Sequence, residues 1–386
     1  MPGAAQVRAP REAFSKRLLL LTTDIAYGGA QRQLLLMARE FVARGWETKL
    51  VTLLRPKAFE QEALGLGVHL ESLNLAGSLR SVASVARLVR IIKEWHPDVM
   101  HCHMVHANLV GRAIRPLTKV PVLVSAARNE KEGGRWREYA YRLTDRWSDV
   151  TVQNSKAGAE RYVKIRAVPS TKIRFVPNGV DTEHFVENAQ RRDLTRERLG
   201  VNEEFLWLAV GRVAQQKDYP TMLRAFRQMQ QAIGRTTRLL IVGTGTTELQ
   251  VSAVGGGDEP RIDVLEPTPD VVSYMNAADA FVMSSRWEGM PNVLLEAASC
   301  GLPIVSTKVG SVAEIVRHGE TGVLVGAGES DALGEAMTRI SSMESDKRAE
   351  MGARARALVK QQYDIGVISQ KWLDLYSTLS AAKEAG

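Results

Sequence analysis

Apolar runs of five to eight residues alternate along the first half of the chain with longer stretches in which apolar residues recur every three or four positions. The runs have the length of buried strands, and the longer stretches are typical of amphipathic helices. Strands are predicted at residues 17–23, 48–54, 98–103, 122–127 and 150–155, and helices at 30–45 and 81–95. Strands and helices that alternate this regularly indicate a parallel sheet with helices on both faces.

The same pattern restarts after a linker. The segment PNGVDTEHF (177–185) contains the Pro, Asn, Gly and Asp residues that mark loops. A second series of strands is predicted at residues 205–212, 238–245, 261–266, 280–285, 302–307 and 321–325. Two closing helices, 344–363 and 366–381, have no strand after them, so we expect them to pack on a surface near the domain junction.

The pattern therefore predicts an α/β protein with two Rossmann-like, doubly wound domains. We place the first domain at residues 17–182 and the second at 183–363. A flexible extension (1–16) precedes them, and a C-terminal helix (364–386) is expected to return toward the first domain. The length of 386 residues fits two domains, because a single core rarely grows beyond about 250–300 residues.

The composition, 45% hydrophobic and 24% charged residues, is that of a globular protein. No apolar run approaches the roughly 20 residues of a membrane-spanning helix, and the start of the chain lacks the apolar core of a signal peptide. We therefore expect a cytoplasmic protein. Cys102 and Cys300 have no paired spacing and are interpreted as reduced, small hydrophobic residues.

The net charge of +8 is unevenly distributed. Residues 1–182 contain 29 Lys and Arg against 16 Asp and Glu, a balance of +13, whereas residues 183–386 contain 22 against 27, a balance of −5. A basic first half suggests an anionic partner such as a membrane surface or a lipid phosphate, although a solvated basic surface has the same composition. Nucleic acid is not expected, because the basic half lacks a recognised binding module or a stacking platform.

The segment RWREYAYRLTDRW (135–147) places Trp136, Ala140, Leu143 and Trp147 on one helical stripe among arginines. Such a helix could attach the protein peripherally to the anionic inner face of the plasma membrane. A core helix that covers the sheet would have the same pattern. The sequence leaves both interpretations open.

Two glycine turns follow predicted strands, where ligands bind in open parallel sheets. Gly28 and Gly29 precede a helix and would let backbone amides approach an anion, although a plain tight turn explains the pair equally well. Gly243 and Gly245 form a close-approach loop in the second domain. Neither turn has the complete Gly-x-Gly-x-x-Gly pattern, and Arg55 follows the second strand where a dinucleotide dehydrogenase has an acidic residue, so an oxidoreductase is disfavoured.

The most informative segment is RWEGMPNVLLEAASCGLPIVST (286–307), which begins just after a predicted strand. Pro291 suits the first turn of a helix, in which Glu296 is the only charged residue. A carboxylate in so apolar a helix is costly unless donors meet it. Ribose hydroxyls would supply such donors, and the amides near Asn292 and Val293 at the helix start suit a diphosphate. A structural arginine paired with Glu296 is the alternative.

The pair Glu288 and Glu296, separated by seven residues, resembles the Glu-x7-Glu signature of family 4 glycosyltransferases of the GT-B fold. The resemblance, to retaining enzymes of bacterial polysaccharide synthesis, continues in order through VPNGVDTEHF, VGRVAQQKDYPTML, LLIVGTG and VRHGETGVLV. It covers nearly all of residues 17–380. The fold that it implies has two facing Rossmann-like domains and a C-terminal helix that packs near their junction.

The resemblance also implies a donor site in the second domain. Arg212 and Lys217 would hold the diphosphate of a nucleotide sugar, with Gly245 beside the donor. Glu296 would bind the ribose, and Glu288 would lie at the donor sugar near the transferring centre. Together with the amides at the helix start, these residues form the expected donor and catalytic site.

Three residues of the first domain are expected to face this site. Gly28 and Gly29 would lie across the cleft, and His103, at the end of the segment DVMHCH, would be a polar group near the acceptor or a structural histidine. Asp218, in the second domain, departs from the family pattern, in which many members have glycine after the lysine. Its effect on the choice of donor stays open.

The activity that the resemblance implies is transfer of a hexose-type sugar from a nucleotide diphosphate sugar, with UDP expected before GDP, to a lipid-linked or polysaccharide acceptor. Retention of anomeric configuration is carried over from the family. Arg212 and Lys217 can stabilise the leaving diphosphate without a metal, and the sequence contains no Asp-x-Asp pair to hold one. A GT-B sugar-nucleotide epimerase and a non-catalytic nucleotide-sugar-binding subunit are the alternatives.

The histidines His101, His103 and His106 around Cys102 are not expected to bind a metal, since alternating residues of a strand point to opposite faces. We therefore expect no metal and no cofactor. The nucleotide sugar is expected to be a substrate.

Overall fold

A computed structural model describes residues 16–26, 28–75, 78–128, 134–233, 236–245 and 261–384 of the chain. The predicted flexible extension, except its last residue, lies outside these ranges. None of the described helices is long and apolar enough to cross a lipid bilayer.

The first domain contains seven strands and six helices among the described residues. The strands are β1 (Arg17–Thr22), β2 (Glu47–Thr52), β3 (His69–Ser72), β4 (Val99–His103), β5 (Val122–Ala127), β6 (Val150–Gln153) and β7 (Ile173–Phe175). The helices are α1 (Gly29–Ala43), α2 (Glu60–Gly65), α3 (Ser78–Trp95), α4 (Val105–Thr118), α5 (Arg135–Thr144) and α6 (Lys156–Lys164). The strands form one parallel sheet in the order β3-β2-β1-β4-β5-β6-β7. β4 and β5 are buried along their whole length because helices cover both faces, as their apolar runs predict.

The second domain repeats this plan. Its strands are β8 (Phe205–Val210), β9 (Thr237–Val242), β10 (Arg261–Leu265), β11 (Ala280–Met283), β12 (Ile304–Thr307) and β13 (Gly322–Val325). Its helices are α7 (Ala189–Leu199), α8 (Tyr219–Ala232), α9 (Val271–Ala277), α10 (Asn292–Ser299), α11 (Val312–Ile315), α12 (Ser330–Ser341) and α13 (Ser345–Tyr363). The parallel strand order is β10-β9-β8-β11-β12-β13. The prediction of two doubly wound α/β domains is confirmed.

Each sheet reverses its strand order beside its first strand, between β1 and β4 and between β8 and β11. The loops after these strands diverge there and leave a crevice, which is where open α/β sheets bind ligands. Gly28 and His103 lie at the crevice of the first sheet, and Arg212 and Glu288 lie at that of the second. The topology therefore places these four predicted site residues at the carboxyl ends of strands, beside the two crevices.

The chain crosses between the domains twice. In the linker, the N–H of Val180 donates to the backbone oxygen of Tyr363 at 2.9 Å, and its C=O accepts from the N–H of Ile365 at 2.8 Å. The final helix, α14 (Ile365–Glu384), then packs on the first domain. Its Trp372 and Tyr376 are each 1% exposed and share a core with β1 and α1.

Candidate active site

Glu288 lies in the loop between β11 and α10 and is only 8% exposed. Its Oε1 accepts hydrogen bonds from Lys217 Nζ and Ser285 Oγ, each at 2.7 Å, and its Oε2 accepts one from Gln216 Nε2 at 3.1 Å. Lys217 and Gln216 belong to the loop after β8, so the ends of two adjacent strands supply the cluster. A buried carboxylate needs such partners, and here one cation and two neutral donors fix its position.

Arg212, the other predicted phosphate-binding residue, follows β8 and has an exposed side chain. Within the described part of the chain its guanidinium makes no hydrogen bond or ion pair. Lys217 is engaged with Glu288, whereas Arg212 is available to an incoming anion. Lys217 must therefore share or lose its contact with Glu288 when a phosphate binds, whereas Arg212 has no such contact to lose in the described ranges.

Asp218 precedes α8 in the left-handed conformation, with φ +48° and ψ +48°. Glycine adopts this conformation most readily, and Asp and Asn are the next best tolerated residues, so Asp can replace the glycine of the family pattern at this backbone position. Its buried carboxylate accepts hydrogen bonds from Arg286 Nε and Thr221 Oγ, both at 2.9 Å. Since Arg286 leads into the loop of Glu288, Asp218 ties the two loops of the cluster together.

The start of α10 contacts the first domain. Asn292 Nδ2 donates to the backbone oxygen of Gly29 at 2.9 Å, and Asn292 Oδ1 accepts from Asn178 Nδ2 at 2.7 Å. A Cβ on Gly29 would lie 3.1 Å from Asn292 Nδ2, so glycine permits this close approach. Gly28 is extended, with φ 178°, and ends the loop that leads into α1. The amides of Asn292 and Val293, in the first turn of α10, have no partner inside the helix, and no side chain caps this helix start.

Gly245 follows β9 in the left-handed region, with φ +75°. A Cβ at this position would lie 3.4 Å from the Cβ of Val213, the neighbour of Arg212. The predicted donor-site glycine therefore lies beside the loop that carries Arg212. The residues that follow it, 246–260, lie outside the described ranges.

Glu296 lies half-buried on α10 and lines a cavity of about 100 Å³ between the domains. The other polar side chains of the cavity wall are Arg32, Gln33, Arg39, Glu62, Asp181, His184 and Asn292. Burial raises the pKa of Glu296 to about 7, against the opposing charge of Arg32, and no described residue donates a hydrogen bond to the carboxylate. Arg32 donates instead to Glu62 Oε1 at 2.7 Å. A structural arginine partner for Glu296 is therefore not realised in the described ranges, and the carboxylate can accept hydrogen bonds from a ligand.

His103 ends β4 and is 2% exposed. Its Nδ1 lies 3.3 Å from Arg128 Nη2, and its ring stacks on that of His101 with 4.0 Å between the centroids. The Nε2 atoms of both histidines are buried and have no hydrogen-bond partner among the described residues. Burial holds the pKa of each imidazole well below its ordinary value, so both rings are neutral.

The alternation of side chains along β4 does not separate His101 from His103, so this argument against a metal site is partly wrong. His101 and His103 are two residues apart and lie on the same face of the strand, because the face alternates with every residue. Only Cys102 points to the other face, where it packs in a separate apolar core. Across the described ranges, no group of three or more His, Cys, Asp and Glu side chains could hold a metal ion.

The first domain also presents an apolar stripe on α5. Trp136, Tyr139 and Leu143 are 60%, 60% and 58% exposed. Tyr141 is buried and faces the core, and Trp147 lies beyond the end of the helix and is half-buried, so Trp147 does not extend the stripe as the sequence predicts. The exposure of the stripe favours the surface interpretation of this helix over the core interpretation.

Three residues that hold the site together escape the sequence analysis. Gln216 binds Glu288, Asn178 binds Asn292, and Arg128 binds both His103 and Asn178. The sequence marks Asn178 only as a turn residue of the linker. Arg128 follows directly after a strand, and that position was the one available signal for it.

Two family models match the chain. One, described as Glycosyltransferase Family 4, matches residues 27–184, and the other, described as Glycosyl transferases group 1, matches residues 204–343. The two matches fall on the two domains and divide at the linker.

Curated relatives include a UDP-Gal:alpha-D-GlcNAc-diphosphoundecaprenol alpha-1,3-galactosyltransferase from Escherichia coli. It is 26% identical over 279 residues, which cover 68% of this chain and 71% of the relative. A GDP-mannose-dependent alpha-(1-6)-phosphatidylinositol monomannoside mannosyltransferase from Mycolicibacterium smegmatis is 27% identical over 251 residues, which cover 62% of this chain and 64% of that protein.

Solved structures with the same architecture include Anabaena Alr3699/HepE in complex with UDP, with a TM-score of 0.83 at 23% identity over 94% of this chain and 100% of that one. WaaG, a glycosyltransferase involved in lipopolysaccharide biosynthesis, has a TM-score of 0.72 at 18% identity, over 93% of this chain and 99% of that one. With both family models and both sheet topologies in agreement, the chain belongs to glycosyltransferase family 4 and has the GT-B fold.

Proposed function

We propose that this protein is a retaining, metal-independent glycosyltransferase of cell-surface glycan synthesis. It transfers a hexose-type sugar from a UDP-sugar to a lipid-linked saccharide. The observation that carries the proposal is the ion pair of Lys217 and Glu288 at the crevice of the second sheet, with the exposed Arg212 in the same loop after β8 as Lys217.

The chemistry follows from where charge develops. Cleavage of the bond between the anomeric carbon and the diphosphate builds negative charge on the leaving group and positive character on the sugar ring. Arg212, Lys217 and the amides at the start of α10 can stabilise the leaving group, and one such donor is typically worth about 3 kcal/mol. Glu288, which we assign to the donor sugar, lies 2.7 Å from Nζ of Lys217, which we assign to the diphosphate. The sugar and the diphosphate are bonded to each other in the donor, so the residues that bind them must be adjacent.

Glu296 supports a nucleotide donor. Its carboxylate lacks donors within the described residues, and a ribose would bring two hydroxyls to it. UDP is the first choice of nucleotide because the E. coli relative is named for UDP-Gal, and GDP is second because the mycobacterial relative is named for GDP-mannose.

Both relatives are named for acceptors on lipid, a diphosphoundecaprenol saccharide and a phosphatidylinositol mannoside. A lipid acceptor requires the enzyme to reach a membrane surface. The exposed stripe of Trp136, Tyr139 and Leu143 and the +13 balance of residues 1–182 fit an anionic surface, where each basic residue contributes about 1 kcal/mol. We propose that α5 is the docking helix.

The activity is tested with purified protein, a panel of UDP- and GDP-sugars, and a polyprenyl diphosphate monosaccharide, all in the presence of EDTA. We expect a product whose anomeric configuration, read by proton NMR, matches that of the donor. An inverted product would contradict retention, and activity that appears only with a divalent ion would contradict metal independence. An isomer formed from the donor alone would favour the epimerase, and nucleotide binding without turnover would favour the non-catalytic subunit.

Membrane docking is tested by co-sedimentation with vesicles that contain anionic lipid, at low and high salt. We expect binding that weakens with salt and is lost when Trp136, Tyr139 and Leu143 are all changed to Ser. Leu194→Ser, at a side chain of the second domain that is 59% exposed, is the matched control and should bind as the wild type does. Equal failure to bind at both salt concentrations would remove the membrane claim.

A further inference from the structure

Arg128 lies in the first domain where that domain meets the second. It follows β5 and is 7% exposed, and its Nη1 donates to Asn178 Oδ1 at 2.8 Å. Asn178 in turn donates to the backbone oxygen of Met290 at 3.1 Å and to Asn292. A Cβ on Gly289 would lie 2.9 Å from the backbone oxygen of Arg128. The arginine is therefore next to the loop that carries Glu288.

The same guanidinium reaches His103. Arg128 Nη2 lies 3.3 Å from His103 Nδ1. A guanidinium has five N–H donors and no acceptor, so in this contact Nδ1 must be the acceptor. A neutral imidazole has one donor nitrogen and one acceptor nitrogen, which leaves the proton on Nε2.

We propose that Arg128 is a positioning residue that holds His103 in the neutral tautomer with its proton on Nε2. His103 then offers an N–H donor to an oxygen of the saccharide bound in the cleft, and it cannot act as a base there. This assignment rests on the proposed function, because it states how His103 acts on that substrate.

The Nε2 atom of His103 has no partner of its own in the described ranges. It is buried and meets no acceptor among the described residues, so it still requires a hydrogen-bond partner. The atom is closed to solvent in this structure, so a sugar hydroxyl reaches it only when the groups around it move.

The other groups that face His103 keep it neutral. His101 stacks on its ring, and His101 Nδ1 lies 2.6 Å from Tyr376 OH on α14. Burial holds the pKa of both histidines low, and the charge of Arg128 lowers them further. Burial also raises the pKa of Tyr376 well above its ordinary value, so the phenol is neutral too. Arg128 is thus the single charged group among these contacts.

The test is the tautomer itself, read from proton–nitrogen correlation spectra of the whole protein with ¹⁵N-labelled histidine. The signal of His103 is assigned as the one that disappears in His103→Ala. We expect the wild type to show a protonated Nε2 and an unprotonated Nδ1 from pH 6 to pH 8. Arg128→Met, which has no donor, should shift the signal toward the other tautomer, and Arg128→Lys, which keeps a cationic donor, should restore it.

A wild-type His103 with its proton on Nδ1, or one that is doubly protonated at pH 7, would overturn the proposal. So would an Arg128→Met protein that is folded by its melting curve and retains the Nε2 tautomer alone. If Arg128→Met does not fold, the wild-type spectrum still decides, since a proton on Nδ1 is incompatible with donation from Arg128. The spectrum needs no turnover, so failure of this inference and failure of the proposed activity are distinguishable.

Discussion

Two polar clusters, one in each domain, are in opposite states. In the second domain, the Glu288 carboxylate meets three donors and is paired with Lys217. In the first domain, His101 and His103 are buried, stacked and neutral, and the Nε2 atom of each lacks a partner within the described ranges. The Glu288 cluster is complete without a ligand, whereas the two histidines retain hydrogen-bonding capacity.

The difference reflects what folding tolerates. A buried charge without a partner costs about 3–5 kcal/mol, so Glu288 must be compensated before any substrate arrives. A buried neutral group without a partner costs about 1–3 kcal/mol, so the fold tolerates the two unpartnered histidine nitrogens in the absence of a ligand. Glu296 is the exception among the charges, and its raised pKa is the consequence.

The largest expected effect comes from Lys217→Ala. Turnover should fall by about 10²–10³-fold because a phosphate donor is lost. The free energy of unfolding should also fall, by about 3 kcal/mol, because Glu288 is left buried without its cation. Steady-state kinetics beside a melting curve measure both losses.

Arg212→Ala is the matched comparison. It removes a cation that has no partner in the described ranges, so turnover should fall by a similar factor while the free energy of unfolding changes by less than about 0.5 kcal/mol. Equal destabilisation by the two variants would contradict the contrast between them. Near-normal turnover in both would remove the diphosphate assignment.

Glu296→Gln should have the next largest effect, and it depends on pH. The folded protein raises the pKa of Glu296 from 4.5 to about 7, so it binds a proton more tightly than the unfolded chain does. Stability of the ligand-free protein should therefore fall as pH rises from about 4.5 to about 7, by on the order of 1–3 kcal/mol, and stay level above. Glu296→Gln should remove this slope.

Nucleotide binding should show the reverse trend. Ribose hydroxyls donate to the ionised carboxylate, so affinity of the wild type for UDP should rise between pH 6 and pH 8. Glu296→Gln should bind more weakly and without that dependence. Calorimetry and melting curves at both pH values measure this, and parallel pH profiles for the two proteins would mean that Glu296 does not meet the ribose.

The smallest effect is expected from Asp218→Gly. Glycine relieves the left-handed backbone by about 1 kcal/mol, and the loss of hydrogen bonds to Arg286 and Thr221 costs about 1 kcal/mol each. The net destabilisation should be within about 1 kcal/mol, with the ranking of donor sugars unchanged. A new donor preference in the variant would show that Asp218 acts on the substrate rather than on the loop.

The central strands of both sheets could be predicted because burial on both faces gives them continuous apolar runs. The edge strands β3 (His69–Ser72) and β7 (Ile173–Phe175) were missed for the opposite reason. They are short, partly exposed and lack such runs, and only pairing with a neighbour identifies them as strands. Helix ends also shifted by one to three residues, as at Gly29–Ala43, where the sequence predicts 30–45.

The second-domain site could be placed from the sequence because its charges stand in an apolar segment, as Glu296 does. The first-domain cluster could not. The contact between Arg128 and His103 joins the residue after β5 to the last residue of β4, and the contact between Asn178 and Asn292 joins residues 114 positions apart. Only the fold brings such pairs together, so no local sequence pattern predicts them.

The central claim is that the loop of Arg212 and Lys217 holds the diphosphate of the donor. The most direct measurement is calorimetry of UDP and UMP with the wild type and with Arg212→Ala. A charged hydrogen bond to the second phosphate is worth about 1.5–3 kcal/mol, so Arg212→Ala should lose about tenfold to hundredfold in affinity for UDP and much less for UMP. Equal losses for the two nucleotides, or no loss for either, would contradict the account.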